Sequence, residues 1–124
     1  MTAPSLPAAL RACAAGIYTH EAGVSLLIAN RAFLSRDDFT SRFITHDTTT
    51  AMAAIDWAAA IAALDTGEIP CSAGEQRILR LAASIAGGIP VSLSDAITGL
   101  DSRNLSHLLT AIRHASGERS HKMP

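Results

Sequence analysis

The sequence predicts an all-α fold, a single bundle of about six helices with two apolar helices, about 48–65 and 73–86, at its centre. Three observations carry this. The stretch Ser72–Gly88 holds a helix start, a long apolar run and a helix stop in the right order. No segment shows the period-two alternation of a half-buried strand. With 48% hydrophobic residues in 124, the chain has the apolar content to bury a core and is not globally disordered. One helical domain is expected over residues 1–117, followed by a disordered tail, 118–124.

Taken in order, residues 1–4 are expected to be a loose lead. Ser5 can cap a first helix, with Pro7 in its first turn, where a missing amide costs little. Leu6, Leu10, Ala14 and Ile17 give that helix a face, and Gly16 ends or bends it. A second helix, His20 to Leu34, carries Ala22, Leu26, Ala29 and Phe33 at spacings of three and four, although Gly23 weakens its first turns. Ser35 with Asp38 marks the start of a short helix, Arg36 to Ile44, that turns Phe39, Phe43 and Ile44 inward as a lid. Asp37 and Asp38 suit the positive end of its dipole. Thr45–Thr50 reads as a polar loop.

Asp47 or Thr48 then caps the alanine-rich helix, which runs to Asp65. Met52 and Ile55 lie on one side of it, and Trp57, Ile61 and Leu64 on nearly the opposite side. Gly67 and Pro70 stop it. Asp65, near the C-terminal end, opposes the helix dipole without an evident reason. Ser72 and Glu75 have the spacing of a capping box. Ile78, Leu79, Leu81, Ala82, Ile85 and Ala86 cover most of the next helix, leaving Arg77, Arg80 and Ser84 as a narrow polar stripe. A helix that apolar is surrounded by protein. Gly87, Gly88 and Pro90 close it. Ser92 with Asp95 opens a short helix ending at Gly99. Asp101 caps a last helix, Ser102 to about Ser116, with Leu105, Leu108, Leu109 and Ile112 as its inward face.

Composition narrows the function classes. A net charge of −1 gives no bulk attraction to nucleic acid or acidic membranes. No apolar run is long enough to span a bilayer, and the N-terminus has no basic, apolar signal-peptide pattern. A cytoplasmic location is therefore expected. Cys13 and Cys71 are too few for a disulfide framework and read as two small buried thiols. No catalytic residue, cofactor site or metal site is expected. His20-Glu21 begins like H-E-x-x-H, but Val24 stands where the second histidine belongs. His107 and His114, seven apart, are too distant to chelate one ion alone. Asp37, Asp38, His46 and Asp47 could gather near a loop, but capping already accounts for most of them.

An enzyme would rest on that acidic group alone and is the least favoured of three functional readings; the other two are stronger. The first is a non-enzymatic interaction module that docks on a protein partner or self-associates. The alanine-rich helix is apolar on opposite sides, and an uncovered stripe of that kind marks an interface. Trp57, Ile61, Leu64 and Asp65 are its candidate contacts, with Trp57 as anchor. The alternative is a DNA-binding regulator with a degenerate helix-turn-helix at about 93–113. Gly99 sits in the turn, and Arg103, Asn104 and His107 would point outward, Arg and Asn being the residues that read guanine and adenine edges. Nucleic acid is the less favoured partner. The first helix has no base, and the chain lacks the positive charge that neutralises phosphates.

Three stretches also carry a resemblance: HEAGVSLLIANRAFLSRDDFTSRFI, AIDWAAAIAALDTGEIPCSAGEQRILRLAASIAGGIPVSLSDAITGLD and LLTAIRHASG. Over roughly residues 20–117 the chain resembles a group of small uncharacterised helical proteins of actinobacteria, streptomycetes and their relatives. That group has no assigned function, so the resemblance implies a bacterial cytosolic origin and carries no activity, cofactor or site residue over to this chain.

Overall fold

The computed structural model describes residues 5–118. The chain is mostly helical, with seven helices and one two-stranded sheet among the described residues. The order is α1 (Leu6–Ala14), α2 (Tyr18–Asn30), α3 (Asp37–Phe43), β1 (Ile44–Asp47), β2 (Met52–Ile55), α4 (Trp57–Asp65), α5 (Ala73–Gly87), α6 (Leu93–Ile97) and α7 (Ser102–Ala115). The expected tail falls largely outside these residues.

The start of α5 is built as its sequence predicts. Ser72 Oγ accepts from the Glu75 amide at 3.1 Å, and Glu75 Oε1 accepts from the Ser72 amide at 2.9 Å. Gly88, at φ 68°, takes the left-handed turn that ends the helix. Replacing Ser72 with Ala should cost about 1 kcal/mol through the lost cap. Thermal unfolding should then show a midpoint lower by roughly 3–6 °C. An unchanged midpoint would show that the cap does not contribute.

The hairpin is the main departure from a pure helical bundle. The expected loop 45–50 and the first half of the expected helix 48–65 give way to a hairpin, β1 and β2, paired antiparallel from Ile44↔Ile55 to Asp47↔Met52. The β-branched run around Ile44–Thr50 favours extended backbone over helix. Asp47 does not cap a helix. Its Oδ1 accepts from the Thr49 and Thr50 amides and shapes the turn, which closes through Ala51 at φ 60°. Asp56 is the cap that operates, accepting from the Ala59 amide at 3.0 Å, so α4 begins at Trp57.

Two other boundaries move. α2 ends at Asn30, not Leu34, because the Asn30 side chain accepts from the Ala32 amide and Arg31 turns left-handed. The Ser35 hydroxyl donates back to the Arg31 and Ala32 carbonyls and does not cap α3. Ile17 leaves the face of α1 altogether; it is half-exposed at the N-cap of α2.

Helix α5 holds the core together, meeting α2, α4, α6 and α7. On one side Phe33, Phe39 and Phe43 stack in series beneath α4, with ring centroids 5.1 and 5.3 Å apart. Phe33 and Phe39 are fully enclosed and Phe43 nearly so, so α3 turns its rings inward and closes one side of the core, as its sequence predicts. On the other side Ala22 and Leu26 of α2, Ile78, Leu81 and Ala82 of α5 and Leu108 and Ala111 of α7 pack together. A third cluster joins Leu10 and Ala14 of α1 to Val24 and Ala53. Gly23 lies where α2 crosses α5: a Cβ there would overlap Ala86 Cβ and come within 2.8 Å of the Ala82 carbonyl. The weak spot in the helix pattern is thus a close-packing position.

Candidate functional site

The residues expected to form an interface divide between core and surface. Ile61 and Leu64 are buried among the phenylalanines, and Trp57 is half-buried where all three core clusters meet. Its side chain packs on Gly87, where a Cβ would sit 3.3 Å from Trp57 Cβ. The stripe Trp57–Ile61–Leu64 is therefore covered by the protein's own α3 and α5. With Met52 and Ile55 moved into the hairpin, α4 has no second apolar side to cover. Asp65, which lacked a rationale in the sequence, holds Arg80 at 2.7 Å.

Five of the eight exposed large hydrophobic residues among the described ones lie on α6 and α7; Ile17, Tyr18 and Met52 are the others. Leu93, Ile97, Leu105, Leu109 and Ile112 are each 41–57% exposed. On α7, Leu105, Leu109 and Ile112 follow one another at spacings of four and three, a continuous stripe. The helix docks on α2 with the adjacent stripe: Asn104, Leu108, Ala111 and Ala115. Small alanines let it approach, and Asn104 Oδ1 accepts from Asn30 Nδ2 at 3.0 Å. The inward face expected from sequence is thus split. Leu108 is buried, while Leu105, Leu109 and Ile112 point to solvent.

Both ends of α7 are tied to α2. At the C-terminal end His114 Nε2 lies 2.6 Å from Glu21 Oε1, and the Tyr18 ring meets the His114 ring edge-on at 5.8 Å. Glu21 Oε2 also accepts from the Gly16 amide at 2.8 Å. That backbone bond, and then His114, hold the Glu21 carboxyl below the ordinary carboxylate range. Arg36 does the same for Asp38, the Thr49 and Thr50 amides for Asp47, and the Thr66 hydroxyl with Arg42 for Glu68. Each of these groups is more easily ionised in the folded chain. Its stabilising contribution is present above the unfolded pKa and is lost as pH falls through the lowered one. Melting temperature should therefore drop on acidification from about pH 7 to about pH 3. Glu21→Gln should lower it at neutral pH and flatten the acid limb. A variant with the wild-type acid limb would show that the Glu21 clasp does not contribute.

The helix-turn-helix reading meets a different geometry. α6 has five residues and packs on α5, while α7 packs mainly on α2. Asn104 is committed to Asn30. His107 is half-buried, its Nε2 enclosed without a hydrogen-bond partner among the described residues. Of the three candidate base-reading side chains, only Arg103 extends into solvent. Asp37, Asp38, His46 and Asp47 do not converge on one site. Asp38 pairs with Arg36 at 2.6 Å, and Asp47 is used by the turn. Cys13 is exposed and Cys71 half-buried, and both are free thiols. Burial raises the Cys71 thiol pKa. No group of three or more His, Cys, Asp or Glu among the described residues could hold a metal, and no described helix is long and apolar enough to cross a membrane.

No protein-family model matches the chain, and no curated protein or solved structure does.

Proposed function

We propose that the protein is a non-enzymatic self-association module, and that its interface is the α6–α7 face and not α4. The observation that carries this is the stripe Leu105–Leu109–Ile112, left in solvent beside Leu93 and Ile97. The occupant is a second copy of the chain. Asp101 stands at the N-terminal end of α7 and Arg113 near its C-terminal end. Antiparallel pairing of two α7 helices about a two-fold axis sets the Asp101 of each copy near the Arg113 of the other and opposes the helix dipoles. A net charge of −1 adds little repulsion between copies.

Magnitudes set the strength. Fully burying a Leu or Ile side chain contributes about 1.5–3 kcal/mol, so five half-exposed ones retain roughly 4–7 kcal/mol per copy and about twice that for a symmetric pair. Association costs about 4–15 kcal/mol in lost freedom. A surplus of about 4–8 kcal/mol, reached when the association cost lies at the low end of its range, corresponds to a Kd in the micromolar to millimolar range. The contact is reversible and depends on concentration.

Sedimentation velocity between about 10 μM and about 1 mM tests this directly, because the range spans the expected Kd. The weight-average coefficient should rise with concentration toward that of a dimer. A coefficient that stays at the monomer value throughout would overturn the reading. Adding random duplex DNA at low salt should change nothing. Salt-sensitive co-sedimentation with DNA would favour a nucleic-acid role for Arg103 instead.

A further inference from the structure

Away from the α7 stripe, the polar stripe of α5 opens onto a cleft of about 380 Å³ between α5 and the segment that leads into α6. Arg77 and Arg80 line one wall. Pro90, Val91 and Ala96 give an apolar wall, and Asp95 stands on α6. Arg80 is already tied to Asp65 at 2.7 Å. Arg77 is half-buried, yet its guanidinium has neither an ion-pair partner nor a hydrogen-bond acceptor among the described residues. It is nevertheless held in place. A Cβ on Gly99 would lie 3.1 Å from Arg77 Nη1, so the guanidinium rests against the α6–α7 turn, where glycine leaves room for it at φ 85°. Asp95 shares the cleft and is likewise without a cationic partner among the described residues.

The lining carries two guanidiniums and one carboxylate, and Asp65 from outside it neutralises Arg80, which leaves Arg77 and Asp95 as the unpaired charges of the cleft. A simple anion would gain Arg77 but meet Asp95, and a simple cation would do the reverse. A molecule carrying both charges satisfies both groups. The planar fork of an arginine matches a carboxylate with two parallel N–H bonds. A free carboxylate such as Asp95 suits an ammonium. We propose that this cleft is a binding site for a small zwitterion of the α-amino-acid class. Its carboxylate sits on Arg77, its ammonium on Asp95 and its side chain against Val91 and Pro90. The volume lies within the usual range for small-ligand sites, about 300–1,000 Å³. This site goes beyond self-association and uses none of the residues of the α7 stripe.

The test is a titration of the ¹⁵N-labelled full chain with L-leucine at about pH 6.5, where an α-amino group is protonated. N-acetyl-L-leucine, which lacks the ammonium, and L-leucinamide, which lacks the carboxylate, are the two half-probes. Saturating shifts are expected at the amides of Val91, Ser92, Ala96 and Gly99. Each half-probe should bind about tenfold or more weakly, because it leaves one charged partner unmet. Arg77→Gln and Asp95→Asn should each weaken leucine binding by a similar factor. Asp95 is exposed, so its variant keeps the test open if Arg77→Gln disturbs packing. Leu109→Asp, on the other face, should bind leucine as the wild type does. Shifts that do not saturate, or that match for leucine and N-acetyl-leucine, would overturn the proposal. So would an Asp95→Asn variant with undiminished affinity.

Discussion

Replacing Gly23 with alanine is expected to destabilise the protein by about 1–3 kcal/mol or more, the usual range for an overpacked core. On helix propensity alone the change should help, since alanine is favoured over glycine by about 1 kcal/mol in a helix interior. The packing term decides the sign. The new methyl would collide with Ala86 Cβ and press within 2.8 Å of the Ala82 carbonyl, so α2 and α5 would have to separate. That contact lies at the centre of the fold, and relief cannot stay local. Adding Ala86→Gly to Gly23→Ala should restore part of the loss, because the methyl clash disappears while the carbonyl contact stays. Chemical denaturation of the two variants checks both statements. A stabilised Gly23→Ala would mean that α2 and α5 are not packed as closely as described.

The second large effect is expected at the α7 stripe. A Leu105→Asp, Leu109→Asp double variant places two carboxylates in the proposed seam, where each would be desolvated opposite its own copy. Self-association should weaken by at least about a hundredfold, more than 2.7 kcal/mol on the scale of about 1.4 kcal/mol per tenfold. Helicity should be retained, since both side chains are already half in solvent and Leu108 and Ala111 still hold α7 to α2. Trp57→Ala should behave in the opposite way. It would lose stability by removing a ring that borders three core clusters and leave the assembly equilibrium of the folded fraction unchanged.

The helices were legible where the chain carries its own start and stop signals. Ser5, Ser72 and Asp101 cap as their spacing requires, and Gly88 closes α5. The hairpin was not, because its second strand, Met52–Ile55, contains two alanines that suit a helix equally well. Its partner strand, which settles the choice, is a neighbour only in the fold. Asp47 and Asp56 both carry helix-cap chemistry, and only the tertiary pairing decides which one begins α4.

The outward stripe of α7 was not legible for a related reason. A stripe of leucines shows that a helix has an apolar side, but not which part of a wide apolar arc its neighbour covers. On α7 the neighbour takes Leu108 and the small residues Ala111 and Ala115, guided by Asn104, and leaves the three large side chains outside. The residue that signalled the outcome was Asn104, a polar side chain beside the apolar arc whose bond to Asn30 sets the rotation of the helix.

Two copies meeting at the outward stripe of α7 would report on themselves as the protein is diluted. The most direct measurement is a dilution series of ¹⁵N–¹H correlation spectra on the full chain, from about 1 mM to about 20 μM, which brackets the expected Kd. Pairing through α7 predicts concentration-dependent shifts at Leu93, Ile97, Leu105, Leu109 and Ile112, with the amides of Trp57 to Asp65 unmoved. Shifts centred on α4, or spectra that do not change over the range, would contradict it.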